Sequence, residues 1–149
     1  MLARNRIEVL HGVNLDQLGR RDAAHYGALT LDRLEQQITG WARDLGLEVR
    51  FFQTNFEGEF VEELHKVDEV SDGVILNPGA WTHYSWAIRD ALEIAALPAV
   101  EVHLSDVQAR EEFRRHSVIG DLCGATFSGR AEEGYRLALE WLRSELEGP

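Results

Sequence analysis

The chain has 149 residues, 44% of them hydrophobic and with Trp, Tyr and Phe all present, which is enough for one compact domain with its own core and excludes disorder by composition. Fifteen Lys and Arg stand against 26 Asp and Glu, a formal charge of -11 that repels phosphate backbones and anionic lipid heads, so neither nucleic acid nor a membrane is an expected partner. No run approaches the roughly 18 apolar residues of a membrane span, Met1 to Arg6 lacks the apolar stretch of a signal peptide, and the single cysteine, Cys123, cannot form an internal disulfide, so a cytoplasmic protein with Cys123 as a small core residue is expected.

In chain order, Ile7 to Leu10 reads as a first strand. Residues 12 to 29 then run without apolar periodicity, far beyond the roughly 2 to 6 residues usual for such connections. They carry Asn14, Arg20, Arg21, His25 and Tyr26 with only isolated glycines, which predicts an ordered lid over about residues 16–27. Leu31, Leu34, Ile38, Trp41, Ala42 and Leu45 recur at helical spacing behind Thr30 as N-cap. Next come a strand at Val49 to Phe52, a helix from Glu57 to Val70, a strand at Val74 to Leu76, a helix from Tyr84 to Ala95 and a strand at Ala99 to Val102. A short helix from Val107 to Arg115, a strand at Ala125 to Phe127 and a helix from Glu132 to Leu146 complete the chain. Strand and helix alternating five times predict an α/β fold with a five-stranded parallel sheet covered on both faces. A flavodoxin-like three-layer αβα sandwich is the natural topology, and residues 1–149 read as a single domain.

Four polar clusters follow the first four apolar runs: His11-Gly12-Val13-Asn14, Gln53-Thr54-Asn55, Asn77-Pro78-Gly79-Ala80 and His103-Leu104-Ser105. Parallel strands carry all four to the same edge of the sheet, where open α/β folds bind ligands. Strand period two sets Glu101 and His103 on one face, so the carboxylate can orient an imidazole acting as general acid, although a capped structural histidine has the same letters. Tyr26 beside Arg20 and Arg21 suits a phenolate base, because a nearby cation favours the ionised phenol, yet a tyrosine anchoring the loop on the core with its hydroxyl hydrogen-bonded is the commoner use of these residues. His83 and Asp90, seven apart, would share one helix face and both point along a site, although an ordinary turn with an amphipathic helix behind it has the same letters. Arg110 and Arg114, one helical turn apart, make a positive stripe suited to a small anion, or else a solvated face paired with neighbouring acids. No histidine or cysteine spacing suits a metal, and no glycine-rich fingerprint suits a nucleotide.

The strings HGVNLDQLGRRDAAHYG, QTNFEGEFVEELH, NPGAWTHYSWAIRDAL and EVHLSDVQAREEFRRHS cover most of the chain in one order, and in them the sequence resembles the type II 3-dehydroquinate dehydratases. The resemblance implies dehydration of 3-dehydroquinate by anti elimination through an enolate, in the shikimate pathway or in quinate breakdown, without cofactor or metal. It implies Tyr26 as the base, Arg21 as the group holding it ionised, His103 as the acid and Glu101 as the residue orienting it. Asn14 would hold a water on the enolate; Asn77, His83, Asp90 and Arg114 would take ring hydroxyls, and Leu104 and Ser105 the carboxylate, with Arg110 adding positive field. It also implies a homododecamer built as a tetramer of trimers. Three departures stand out: Val13 for a usual proline, Asp22-Ala23 for Glu-Pro, and SGRAEEGY for the more glycine-rich SGxGxxGY. A competing reading is a paralogue that holds a quinate-like acid with little turnover. A receiver-type module needs acidic strand ends, and these carry Asn, Gln and His.

Overall fold

The computed structural model describes residues 4–20 and 28–148. Five parallel strands form one sheet: β1 (Arg6–His11), β2 (Glu48–Gln53), β3 (Gly73–Asn77), β4 (Ala99–His103) and β5 (Ala125–Ser128), in the order β2-β1-β3-β4-β5. Helices α1 (Leu31–Asp44), α2 (Glu57–Val70), α3 (Trp86–Ala95) and α4 (Glu133–Glu147) cover it. On one face α1 and α4 place Leu34, Ile38, Tyr135, Leu139 and Leu142 against Ile7, Val9, Ile75, Val100 and Val102. On the other, α2 and α3 place Phe60, Leu64, Val67, Ile88 and Leu92 against Leu10, Val74, Leu76 and Ala99. Central strands buried on both faces explain why β3 reads as a near-continuous apolar run and why β4 is buried throughout, Glu101 and His103 included, whereas β2, at the edge, is only half-buried. This is the expected α/β sandwich, in the flavodoxin-like strand order.

Local chemistry fixes the element ends. The Thr30 side chain accepts from the Arg33 amide at the start of α1, as its N-cap role predicts, and Ser85 does the same for Ile88 at the start of α3. That second cap corrects an expectation, because a helix running on from Tyr84 would have carried His83 and Asp90 towards one face. His83 instead ends a 3-10 turn, Gly79–His83, and α3 starts afresh at Trp86.

The second correction concerns the link from β4 to β5. In place of a helix from Val107 to Arg115 there are two 3-10 turns, Val107–Ala109 and Glu112–Arg115, separated by extended backbone at Arg110. Asp106 caps the first turn through the Gln108 amide, and Gln108 in turn donates to the Arg115 carbonyl. These side chain to backbone bonds offer the segment an alternative to a helical ladder.

Because the chain leaves β1 towards β2 on one side and reaches β3, β4 and β5 on the other, strand order reverses between β1 and β3. Their ends are locked closely: the Gly12 amide donates to the Asn77 carbonyl at 2.8 Å. A side chain at Gly12 would lie 2.3 Å from the Pro78 carbonyl oxygen. Such a switch point is where a doubly wound sheet opens a crevice.

Candidate active site

A cleft of about 110 Å³ opens at the carboxyl ends of β1, β3 and β4. Val13, Asn14 and Leu15 line it from the β1 end, Asn77, Gly79, Ala80 and His83 from the β3 end, and His103, Leu104 and Ser105 from the β4 end. Val107, Arg110 and Arg114 close the remaining side. Three of the four polar clusters thus line one cleft. The other, Gln53-Thr54-Asn55, braces it from β2: Asn55 Oδ1 accepts the Asn14 amide at 2.8 Å, and Gln53 Nε2 donates to the Gly12 carbonyl at 3.2 Å. The brace holds Asn14 in the left-handed region, at φ 68°, a conformation asparagine tolerates better than most side chains.

His103 and Glu101 meet as strand alternation predicts, with Nε2 2.6 Å from Oε2. Both are nearly inaccessible. A carboxylate can only accept, so Nε2 donates and Nδ1 is left as the ring atom the carboxylate does not engage. Thr82 Oγ1 donates to Glu101 Oε2 at 2.5 Å, and Ser117 Oγ lies 2.8 and 3.0 Å from its two oxygens. Burial pushes the Glu101 carboxyl up, but His103 and the two hydroxyls outweigh it and hold the group below its ordinary range. The site therefore keeps an anion buried behind an imidazole.

The His83 ring stacks on His103, centroids 6.4 Å apart at 16°. Burial, opposed by the His116 carbonyl and assisted by the charges of His103 and Arg114, lowers the pKa of His83. A neutral His83 donates Nδ1–H to that carbonyl at 2.7 Å and keeps Nε2 as an acceptor. Asn77 is oriented from both ends: its Oδ1 accepts the Gly79 amide at 3.1 Å, and its Nδ2 donates to the Tyr135 hydroxyl at 3.4 Å. Sequence patterns miss Tyr135, whose hydroxyl enters from a helix 58 positions away.

Arg110 and Arg114 both reach the cleft, though no continuous helix aligns them. Arg110 Nη1 donates to Ser105 Oγ at 3.3 Å, and Arg114 is held by Glu111 at 3.3 Å and lies over the Phe113 ring. In a chain of charge -11, two guanidinium groups over one crevice give a local field that attracts an anion. Asp90 is exposed on α3 and does not line this chain's cleft. Lys66 likewise lies on an exposed position of α2, away from it. Arg21 and Tyr26 lie outside the described residues, as does the lid beyond Arg20. Among the described residues, no three His, Cys, Asp or Glu side chains are grouped to hold a metal, and no helix is long and apolar enough to cross a membrane.

Known proteins share both this sequence and this fold. The 3-dehydroquinate dehydratase of Thermotoga neapolitana is 51% identical over 138 residues, covering 93% of this chain and 94% of its own. That of Pelobacter propionicus is 49% identical over 135 residues, covering 90% and 91%. The crystal structure of type II dehydroquinase from Propionibacterium acnes superposes with a TM-score of 0.89 at 41% identity, covering 97% of this chain and 99% of that one. Residues 5–143 match the sequence model of the family described as dehydroquinase class II. Sequence and fold agree, and the chain belongs to the class II dehydroquinase family.

Proposed function

We infer that this chain removes water from 3-dehydroquinate, giving 3-dehydroshikimate, as a carbon–oxygen hydro-lyase of the shikimate pathway. The observation that carries the reading is the buried Glu101–His103 pair, 2.6 Å apart, in a cleft that also presents Asn14, Asn77, Arg110 and Arg114. A β-hydroxy ketone loses water by surrender of the proton alpha to the carbonyl, giving an enolate, followed by departure of the hydroxyl with a second proton. The first step needs a base and a group to stabilise the enolate oxygen; the second needs an acid.

His103 suits the acid, because Glu101 accepts Nε2–H and a ring that carries both hydrogens can pass the other one, on Nδ1, to the C1 hydroxyl as it leaves. Tyr26, as phenolate beside Arg21, is proposed to take the C2 proton, an assignment that rests on the family motif. Asn14 would hold a water against the enolate oxygen. Asn77, His83 and Arg114 are proposed to take the ring hydroxyls, with Leu104 and Ser105 receiving the carboxylate and Arg110 supplying positive charge near the base. Asp90 is exposed on α3 and fits this scheme only through a neighbouring copy. Exposed Phe56, Tyr84 and Trp86 supply apolar surface for the proposed dodecamer, which sedimentation velocity reads directly; a monomer at micromolar concentration overturns that assembly.

The test of activity mixes purified protein with 3-dehydroquinate, without added metal or cofactor, and follows the rise of enone absorbance beside the Tyr26→Phe variant. Turnover by the wild type alone supports both the reaction and its base. Near-normal turnover by the variant refutes the base, and tight binding of a quinate-like acid without turnover refutes the enzyme in favour of a binding paralogue.

A further inference from the structure

The Glu101 carboxylate, 1% exposed, receives more hydrogen bonds than an orienting partner for one histidine requires. Thr82 and His103 both donate to Oε2, while Ser117 lies nearer Oε1. Ser117 Oγ accepts the amides of Ile119 and Gly120, at 3.2 and 3.0 Å, so its own hydrogen is directed at the carboxylate. The Val118 amide donates to the Thr82 carbonyl at 2.8 Å, tying the turn after β3 to the loop that carries Ser117. Neither hydroxyl lines the cleft.

We propose that Thr82 and Ser117 are positioning residues for the dehydration, acting on His103 through Glu101. The inference rests on the dehydratase reading. A buried carboxylate bound only to His103 could rotate about its Cγ–Cδ bond and carry the imidazole with it. With one hydroxyl on Oε2 and another on Oε1, the carboxylate plane is fixed, and the remaining lone pair of Oε2 faces Nε2. The two hydroxyls also stabilise the anion where burial alone would favour the neutral acid. A protonated Glu101 would instead donate to Nε2, leaving a neutral ring with its one hydrogen on Nδ1, a far weaker acid than a ring that gives Nε2–H to a carboxylate and carries a second hydrogen on Nδ1. The clamp removes that alternative. It comes from three elements: the turn after β3, β4 itself, and the loop before the turn Gly120–Leu122.

Thr82→Val replaces the hydroxyl by a methyl of similar shape, and Ser117→Ala removes a single oxygen from an exposed segment. Steady-state kinetics on 3-dehydroquinate would compare each with wild type, with the hydroxyl-retaining Thr82→Ser and Ser117→Thr, and with the same changes in a Glu101→Gln background. The expected result is a fall in kcat of about tenfold for each single variant, on the order of one hydrogen bond to a charged group expressed in the transition state, with KM within about twofold. Thr82→Ser and Ser117→Thr should recover most of the loss, and neither Thr82→Val nor Ser117→Ala should lower kcat further once Glu101 is Gln. Losses that multiply in the Glu101→Gln background, or that fall on KM alone, overturn the proposal. If Thr82→Val does not fold, Ser117→Ala decides. Unchanged turnover by the variants beside an active wild type overturns this inference alone, whereas an inactive wild type overturns the dehydratase reading and the inference with it.

Discussion

Replacing Gly12 by alanine tests how tightly the geometry of the cleft depends on the contact between the ends of β1 and β3. The added Cβ would lie 2.3, 2.4 and 2.7 Å from the carbonyl oxygen, carbonyl carbon and Cα of Pro78, all of them backbone. Ordinary contact begins near 3.4 Å, so the two segments must part by roughly 1 Å, and no side chain can rotate away to make room. Overpacking of this kind costs about 1–3 kcal/mol, which for a chain of this size lowers Tm by about 2–4 °C per kcal/mol, a fall of roughly 2–12 °C. The displaced segments carry Asn14 and Asn77, and a misplacement of about 1 Å can cost on the order of a hundredfold in rate. Thermal melting followed by circular dichroism and kcat/KM from enone formation read the two effects. A variant that melts within about 1 °C of wild type and keeps kcat/KM within about twofold would refute the reasoning.

Ala131 adopts φ 51° where the family's motif is richer in glycine. Ala131→Gly relieves left-handed strain of about 1–2 kcal/mol and loses part of it to the greater freedom of the unfolded chain; a Tm rise of about 1–4 °C is expected, and a fall in the melt would contradict it. Burial of Glu8 on β1, reinforced by the hydrogen bond and charge of Glu63 on α2 and opposed by Arg50 on β2, pushes its carboxyl up to about 8. The folded state then holds a proton that the unfolded chain releases from about pH 4.5 upward, so Glu8 costs stability increasingly as pH rises from there to about 8 and no further beyond. Glu8→Gln should therefore gain on wild type in Tm between pH 5 and pH 8; a difference constant across that range would show that Glu8 is not protonated in the fold.

The order of strands and helices was legible in the sequence because each element states its own burial locally. Apolar runs mark strands covered on both faces, the 3.6-residue recurrence from Leu31 marks α1, and Thr30 marks its start. The Glu101–His103 pair was legible for the same reason, since alternation along β4 puts both on one face. Gly12, Asn14, Asn77 and Ser105 could be assigned to one sheet edge once the strands were taken as parallel. Tertiary structure decided what depends on partners distant in the chain. The segment after β4 forms short 3-10 turns because Asp106 and Gln108 bond to its backbone, and Arg110 reaches the cleft through an extended break between them. His83 and Asp90 part because Ser85 caps a new helix between them. Asn55 braces Asn14 across 41 positions, Thr82 reaches Glu101 across 19 and Ser117 across 16. Periodicity records which face of its own element a side chain occupies, whereas the hydrogen-bond partner it meets is set only when strands from distant parts of the chain come into register.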